Sequence, residues 1–370
     1  MRIGIDARLT YYSQAGISRY IQHLVHQLPR LDPTIDWTII QSRKDSRTLV
    51  KGLRVNAWTP CHHRLERWTL GGELLRHRLN LLHSPDFIPP AFGAQRVVIT
   101  VHDLSFVHFS RYLAPEALRY YAGQIEWAIG RADHILADSN QTREDLIHLL
   151  GALPDKVTTV HLAADERFRP LSTPADQMPA LQRYDLSPGY ILFVGTLEPR
   201  KNIPTLLAAY RRLLDRSGTR VPLVLVGKRG WSADDIFETL ETLQLGRQVR
   251  IIDDCAGQEP LVQLYNGAGV LVLPSFYEGF GLPVLEAMAC GTPVVAAHRG
   301  SLPEIVGDAG LLINPEDADG LASAIERVLE DDRLRSDLIR RGYAHASRFT
   351  WAETARQTLR VYRRLRQEVD

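Results

Sequence analysis

The amino-acid sequence predicts an α/β protein made of two doubly wound, Rossmann-like domains in tandem. Three observations point there. Short β-branched runs alternate with amphipathic stretches along most of the chain, the pattern of parallel strands covered on both faces. A Pro-, Ser- and Gly-rich stretch interrupts the alternation near the middle, after which it restarts. The 370 residues are too many for one ordinary core and comfortable for two.

In the first half, Ile3–Ala7 reads as a strand. Gly16 to Leu28 reads as a helix, because Ile17, Tyr20, Ile21, Leu24, Val25 and Leu28 recur on one face. Trp37–Ile40, Leu81–His83, Val97–Val101 and His134–Ala137 are further strands, and Val157–Val160 closes the half. Pro115–Ile129 and Gln141–Leu150 are intervening helices, the second capped by Ser139 or Asn140.

The break at 171–189 contains Ser172, Thr173, Pro174, Asp176, Pro179, Ser187, Pro188 and Gly189, and it reads as a linker between domains 1–170 and 190–350. Beyond it, strands are expected at Tyr190–Val194, Leu223–Val226, Val249–Ile252, Val270–Leu273 and Pro293–Ala296. Helices are expected at Ile203–Leu214, Asp234–Leu245, Pro260–Asn266 and Leu282–Ala289. In the last stretch, 351–370, Trp351, Ala355, Leu359 and Tyr362 recur at helical spacing, so this helix is expected to pack back on the N-terminal domain. Its arginines read as the solvated opposite face.

Composition removes several function classes. Acidic and basic residues number 43 and 44, so the chain lacks the basic excess of a nucleic-acid binder. Cys61, Cys255 and Cys290 lie far apart, which suits a reducing cytoplasm better than a disulfide framework. No apolar run approaches the roughly 20 residues of a membrane span, and Met1–Asp6 lacks the apolar core of a leader. A cytoplasmic protein is expected, either free or at the inner face of the membrane. The histidines are scattered, and His62-His63 has no partner at ligand spacing, so no metal is expected.

The segment Pro274-Ser275-Phe276-Tyr277-Glu278-Gly279-Phe280-Gly281-Leu282-Pro283 joins a buried strand to a helix through a glycine-rich loop. Gly279 and Gly281 let the backbone approach a ligand closely. Pro283 stands where a missing N–H costs little. The helix-start amides and the dipole form an anion site. Glu278 in the loop and Glu286 inside the helix can accept hydrogen bonds from a sugar and a ribose. Arg200 and Lys201 follow a strand and a tight loop, and read either as an exposed basic pair or as phosphate ligands. His102 and Asp103 lie past the end of Val97–Val101, the edge where ligands gather in open α/β sheets, although a lone histidine at a strand end reads first as a satisfied turn residue. Ala15-Gly16 opens a helix after the first strand but is not Gly-x-Gly-x-x-Gly, which speaks against NAD.

The pair Glu278 and Glu286 resembles the Glu-x₇-Glu signature of retaining GT-B glycosyltransferases of family 4 (glycosyl transferases group 1), which includes many mannosyltransferases. Val194-Gly195-Thr196-Leu197-Glu198-Pro199-Arg200-Lys201-Asn202 is similar to the first loop of that family's C-terminal domain. Val101-His102-Asp103-Leu104 and Gly16-Ile17-Ser18-Arg19-Tyr20 resemble its N-domain elements. The resemblance spans essentially the whole chain and is more specific in the second half. Some relatives carry an arginine where Thr196 stands, which leaves Arg200 to fill that role or leaves it unfilled.

The resemblance implies a GT-B fold, with two domains facing across a cleft. It implies donor binding by Gly16, Arg200, Lys201, Glu278, Gly279, Phe280, Gly281, Leu282 and Glu286. The phosphates would lie on Arg200, Lys201 and helix-start amides, the ribose on Glu286, the base near 249–254, and the sugar on Glu278 and His102. The catalytic set is then His102, Glu278, Lys201 and Arg200. Asp103 would orient His102 or contact the acceptor.

A retaining, metal-independent hexosyltransferase without a cofactor follows, with a nucleotide-diphosphate sugar as co-substrate. GDP-mannose is the first donor suggested, ahead of UDP- or dTDP-sugars. The acceptor would be a glycan, lipid-linked or small-molecule hydroxyl. A glycan synthase, a nucleotide-sugar 2-epimerase and a non-catalytic sugar-nucleotide-binding scaffold are the alternatives. The basic and aromatic 58–78 region reads either as packed helices with snorkelling arginines or as a peripheral membrane contact.

Overall fold

In the first of two units the strands are β1 (Arg2–Asp6), β2 (Asp36–Ser42), β3 (Arg54–Ala57), β4 (Leu79–Ser84), β5 (Ala94–Val101), β6 (His134–Ala137) and β7 (Val157–Thr159). They form one parallel sheet in the order β3-β2-β1-β4-β5-β6-β7. The second unit holds β8 (Tyr190–Val194), β9 (Leu223–Val226), β10 (Val249–Ile252), β11 (Ala268–Leu273), β12 (Val294–Ala297) and β13 (Leu311–Ile313). Its parallel sheet runs β10-β9-β8-β11-β12-β13. The computed structural model describes residues 1–12, 16–110, 115–174, 177–217, 221–255 and 257–367.

Both sheets reverse their strand order once, at β1/β4 and at β8/β11, and such a reversal opens a crevice at the carboxyl ends of the strands. Central strands read as unbroken apolar runs because helices cover both faces; every residue of Tyr190–Val194 is buried. The strands β3 and β13 lie at sheet edges and were not anticipated from the sequence.

The first unit comprises Met1–His108, Ala114–Leu162 and Thr350–Asp370. Its helix Gly16–Leu31 buries Tyr20, Ile21, Leu24, Val25 and Leu28, and runs on through Pro29 beyond the expected stop. The neighbouring Ala15 lies outside the described residues. Ser139 caps the helix Asn140–Leu150, its hydroxyl accepting from the Thr142 amide. The helix Trp351–Gln367 buries Trp351, Ala355, Leu359 and Tyr362, and stacks Trp351 on His23 at 4.2 Å. Arg356, Arg360 and Arg363 of the same helix stay exposed.

The second unit comprises Phe109–Leu113 and Ala163–Phe349. It takes in the stretch 171–189. There the helix Pro179–Arg183 buries Ala180 and Leu181, and the Ala180 amide donates to Gln263 Oε1 at 2.8 Å. That stretch is a docked segment because its apolar side chains have a surface to cover; Ala175 and Asp176 lie outside the described residues. Among the described residues no helix is long and apolar enough to cross a membrane.

Candidate active site

In the second unit, β8 and β11 flank the point where strand order reverses, and the loops after them carry the predicted cations and carboxylate. After β8 the chain passes Gly195. Its backbone runs so close to the next strand's exit that a Cβ on Gly227 would stand 1.9 Å from Gly195 O. A 3₁₀ turn, Pro199–Lys201, then aims two cations back over the sheet edge, and Asn202 leaves it in the left-handed region at φ 54°. Buried Asn202 locks the turn, with Nδ2 donating to Pro274 O at 3.1 Å and Pro315 O at 2.7 Å. The Phe276 amide donates to Arg200 O at 2.8 Å, which joins the two loops directly.

Lys201, Arg200 and Glu278 meet in one knot. Lys201 Nζ donates to both Glu278 oxygens, at 2.7 and 2.9 Å. Arg200 Nη1 reaches Glu278 Oε2 at 3.0 Å, while its Nε pairs with Glu198 at 2.6 Å. Ser275 Oγ donates to Glu278 Oε1 at 2.6 Å. Burial opposes ionisation of Glu278, but Lys201 and Arg200 override it and draw its carboxyl down to about 2. Burial likewise pulls the Lys201 ammonium below the ordinary lysine value, against the opposing effect of Glu278. Glu278, expected to face the sugar, therefore spends both oxygens on its neighbours. An ammonium carries three donors, so two bonds to Glu278 leave Lys201 one more to offer.

The loop continues through Gly279 and Phe280 to Gly281, which stands at φ 101° and starts the helix Leu282–Cys290 with Pro283 in its first turn. Leu302 would lie 3.0 Å from a Cβ at Gly281, so both conformation and space call for glycine. The single Ser301 hydroxyl hydrogen is shared between Phe280 O at 2.7 Å and Glu278 O at 2.9 Å, tying the loop's backbone at two points. Glu286 is buried one turn further along, where Tyr265 OH donates to its Oε2 at 2.9 Å. The basic pair and Glu278 are thus brought together, while Glu286 has a separate hydroxyl partner.

In the first unit, His102 follows β5 and its ring faces acceptors on both sides. Nδ1 lies 2.6 Å from Asp138 Oδ2, and Nε2 lies 2.8 Å from Pro85 O. Two acceptors require two N–H groups, the state of an imidazolium. Burial resists that charge, but Asp138 outweighs it and the ring rises to about 9. The group that orients His102 is Asp138. Asp103 has a local task instead, because its Oδ1 accepts from the Ser105 amide at 2.9 Å and hydroxyl at 2.7 Å. Gly16 opens its helix as expected, in the first unit.

Sequence reasoning missed Asp138, Asn202, Ser275, Ser301 and Tyr265. It also missed a buried cluster past β1. There Arg8 grips Asp6 through Nε at 2.9 Å and Nη2 at 2.7 Å, and reaches Glu66 at 2.6 Å. Among the described residues, no three His, Cys, Asp or Glu side chains gather as metal ligands would.

Comparison with known proteins places this geometry. The family model for glycosyl transferases group 1 matches residues 180–345, and the model for glycosyltransferase family 4 matches residues 15–168. The chain is 38% identical over 314 residues to O-antigen chain mannosyltransferase B of Escherichia coli, covering 85% of this chain and 81% of that protein. It is 32% identical over 292 residues to serotype-specific mannosyltransferase WbdA of Escherichia coli, covering 77% of this chain but only 36% of that longer protein. Among solved structures, sucrose-phosphate synthase (tll1590) from Thermosynechococcus elongatus superposes with a TM-score of 0.76 over 100% of both chains, at 22% identity. The sheet orders, the glycine-started helix and these matches agree: the chain belongs to glycosyltransferase family 4, has the GT-B fold, and is a glycosyltransferase.

Proposed function

We propose that the chain is a retaining mannosyltransferase that moves mannose from GDP-mannose to a hydroxyl of a glycan or lipid-linked glycan, without a metal. The observation that carries this reading is the knot of Lys201, Arg200 and Glu278 beside the start of the helix Leu282–Cys290. The names of the two mannosyltransferase relatives support the choice of sugar.

In this reading the second unit binds the donor. A diphosphate leaving group gains negative charge as the glycosidic bond breaks. The remaining Lys201 donor, Arg200 and the helix-start amides after Gly279, Phe280 and Gly281 then bind it more tightly in the transition state than before. Glu278 holds both cations at that spot, and Glu286 takes the ribose. The acceptor oxygen attacks the face that the diphosphate leaves, and its proton passes to the departing phosphate oxygen, so no protein base is needed. The first unit serves the acceptor. His102 acts through its main chain, because both ring nitrogens are already bonded inward.

The test is turnover of GDP-mannose, UDP-glucose and dTDP-rhamnose with a mannosylated acceptor in the presence of a chelator, with the product's anomeric configuration read by NMR. Transfer from GDP-mannose with retention supports the proposal. Inversion, loss of activity on chelation, or preference for another donor refutes the corresponding part.

A further inference from the structure

We propose that His62 and Asp86 form the subsite that receives a hydroxyl of the acceptor's terminal sugar. The inference rests on the reading above that the first unit serves the acceptor. The pair stands at the carboxyl edge of the first sheet, where β1 and β4 flank the reversal of strand order. Asp86 comes two residues after Ser84, the last of β4, and His62 Nε2 lies 2.6 Å from its Oδ2. The residue between, Pro85, offers the carbonyl that meets His102 Nε2 at 2.8 Å. Asp86 and the anchor of His102 are therefore consecutive residues of one loop.

His62 is held with more machinery than an exposed ion pair needs. It stands in the left-handed region at φ 60°, uncommon for a residue with a side chain. Its amide donates to Glu66 Oε2 at 2.7 Å, Glu66 Oε1 takes Arg8 Nη2 at 2.6 Å, and Asp6 grips Arg8. Three buried charges thus fix the backbone beneath a side chain that is itself 37% exposed. Burying charge costs stability, and an open ion pair returns little of it. Fixing a ring that holds a ligand-binding carboxylate accounts for the arrangement.

The pair offers one open acceptor. Asp86 Oδ2 is turned to His62, while Oδ1 has no hydrogen-bond partner among the described residues. An open carboxylate oxygen accepts from a sugar hydroxyl, and its charge turns phosphates away. Beside it, a cavity of about 10 Å³ bounded by Leu9, Cys61 and Ile88 has room for a single oxygen. One hydroxyl enters there and the sugar ring stays outside. The Tyr121 ring, 6.4 Å from His62, packs on Phe106 at 5.7 Å and supplies an apolar wall. A few placed polar groups against such a wall are the usual make-up of a small-molecule site.

The test uses the full chain with α-mannobiose as acceptor and GDP-mannose as donor. Asp86→Ala should raise the KM for mannobiose about tenfold or more, the scale of one hydrogen bond to a charged group. The KM for GDP-mannose should stay within about twofold. His62→Ala should raise the mannobiose KM less, and adding it to Asp86→Ala should change nothing further, because the ring acts only through the carboxylate. An unchanged mannobiose KM in Asp86→Ala overturns the proposal. So does an equal rise in both KM values, which marks a general loss of structure. Saturation-transfer NMR separates this proposal from the donor reading. Wild type that takes up GDP but not mannobiose overturns the subsite alone. Mannobiose bound by the wild type and lost in Asp86→Ala, without transfer from GDP-mannose, upholds the subsite and overturns the donor assignment.

Discussion

Lys201 reaches Glu278 across 77 residues of sequence, and its Nζ bonds both carboxylate oxygens. The lysine is thereby aimed and held before any ligand arrives. Lys201→Ala should lower kcat by about 10²–10³, the usual cost of removing a transition-state charge stabiliser. Single-turnover rates of folded variant, checked by circular dichroism, measure it. Activity near that of the wild type would falsify the assignment.

The same pair predicts an acid limb of stability. Glu278 titrates at about 2 in the fold against an ordinary 4.5. Its folded value is depressed, so the stability it contributes is present above 4.5 and is lost as pH falls towards 2. Denaturant midpoints of the wild type and Glu278→Gln should therefore differ most near neutrality and converge towards pH 2. A gap that is independent of pH would count against the ion pair.

His102 predicts the opposite limb. Its folded value of about 9 lies above the ordinary 6.5, so its contribution is complete below 6.5 and is lost as pH rises through 9. The loss should be on the order of 3 kcal/mol. Urea titrations of His102→Gln should lack this alkaline decline. Asp138→Asn should lack it too, since the asparagine no longer stabilises the imidazolium.

Tyr265→Phe removes the hydroxyl that donates to Glu286. If Glu286 holds the ribose, donor KM should rise by about tenfold with kcat little changed, the scale of one hydrogen bond to a charged group. An unchanged KM for the donor, with kcat reduced, would argue that Glu286 serves elsewhere.

Arg8 is buried with Asp6 and Glu66 as its partners. Arg8→Ala leaves two carboxylates without their cation, and should destabilise the first unit by about 3–5 kcal/mol. Equilibrium unfolding measures it; a change below about 1 kcal/mol would mean that water replaces the guanidinium.

Much of this architecture could be read in the sequence because buried parallel strands announce themselves as apolar runs. The strands β3 and β13 did not. Arg-Val-Asn-Ala and Leu-Leu-Ile are short edge segments whose pairing depends on a neighbour far along the chain. The site divides in the same way. Arg200, Lys201, Glu278 and Glu286 stand in local motifs with glycines and a helix start nearby. Asp138 lies 36 residues from His102, and Asn202 lies 113 from Pro315, so only the folded chain brings them together. Asp103 sits beside His102 in sequence, but past the strand end its Oδ1 accepts from the Ser105 amide two residues on, and Asp138 is the carboxylate on the His102 ring.

The Tyr362 hydroxyl bonds His83 Nδ1 at 2.6 Å, and the other His83 nitrogen meets Thr100 Oγ1 at 2.7 Å, all within the buried interior of the first unit. On the ribosome, residue 362 emerges only after the entire second unit has been made. The early part of the chain, although every strand of its sheet has been made, must therefore wait with a polar histidine unsealed in its centre. The first unit to begin synthesis is thus the last to have all its parts.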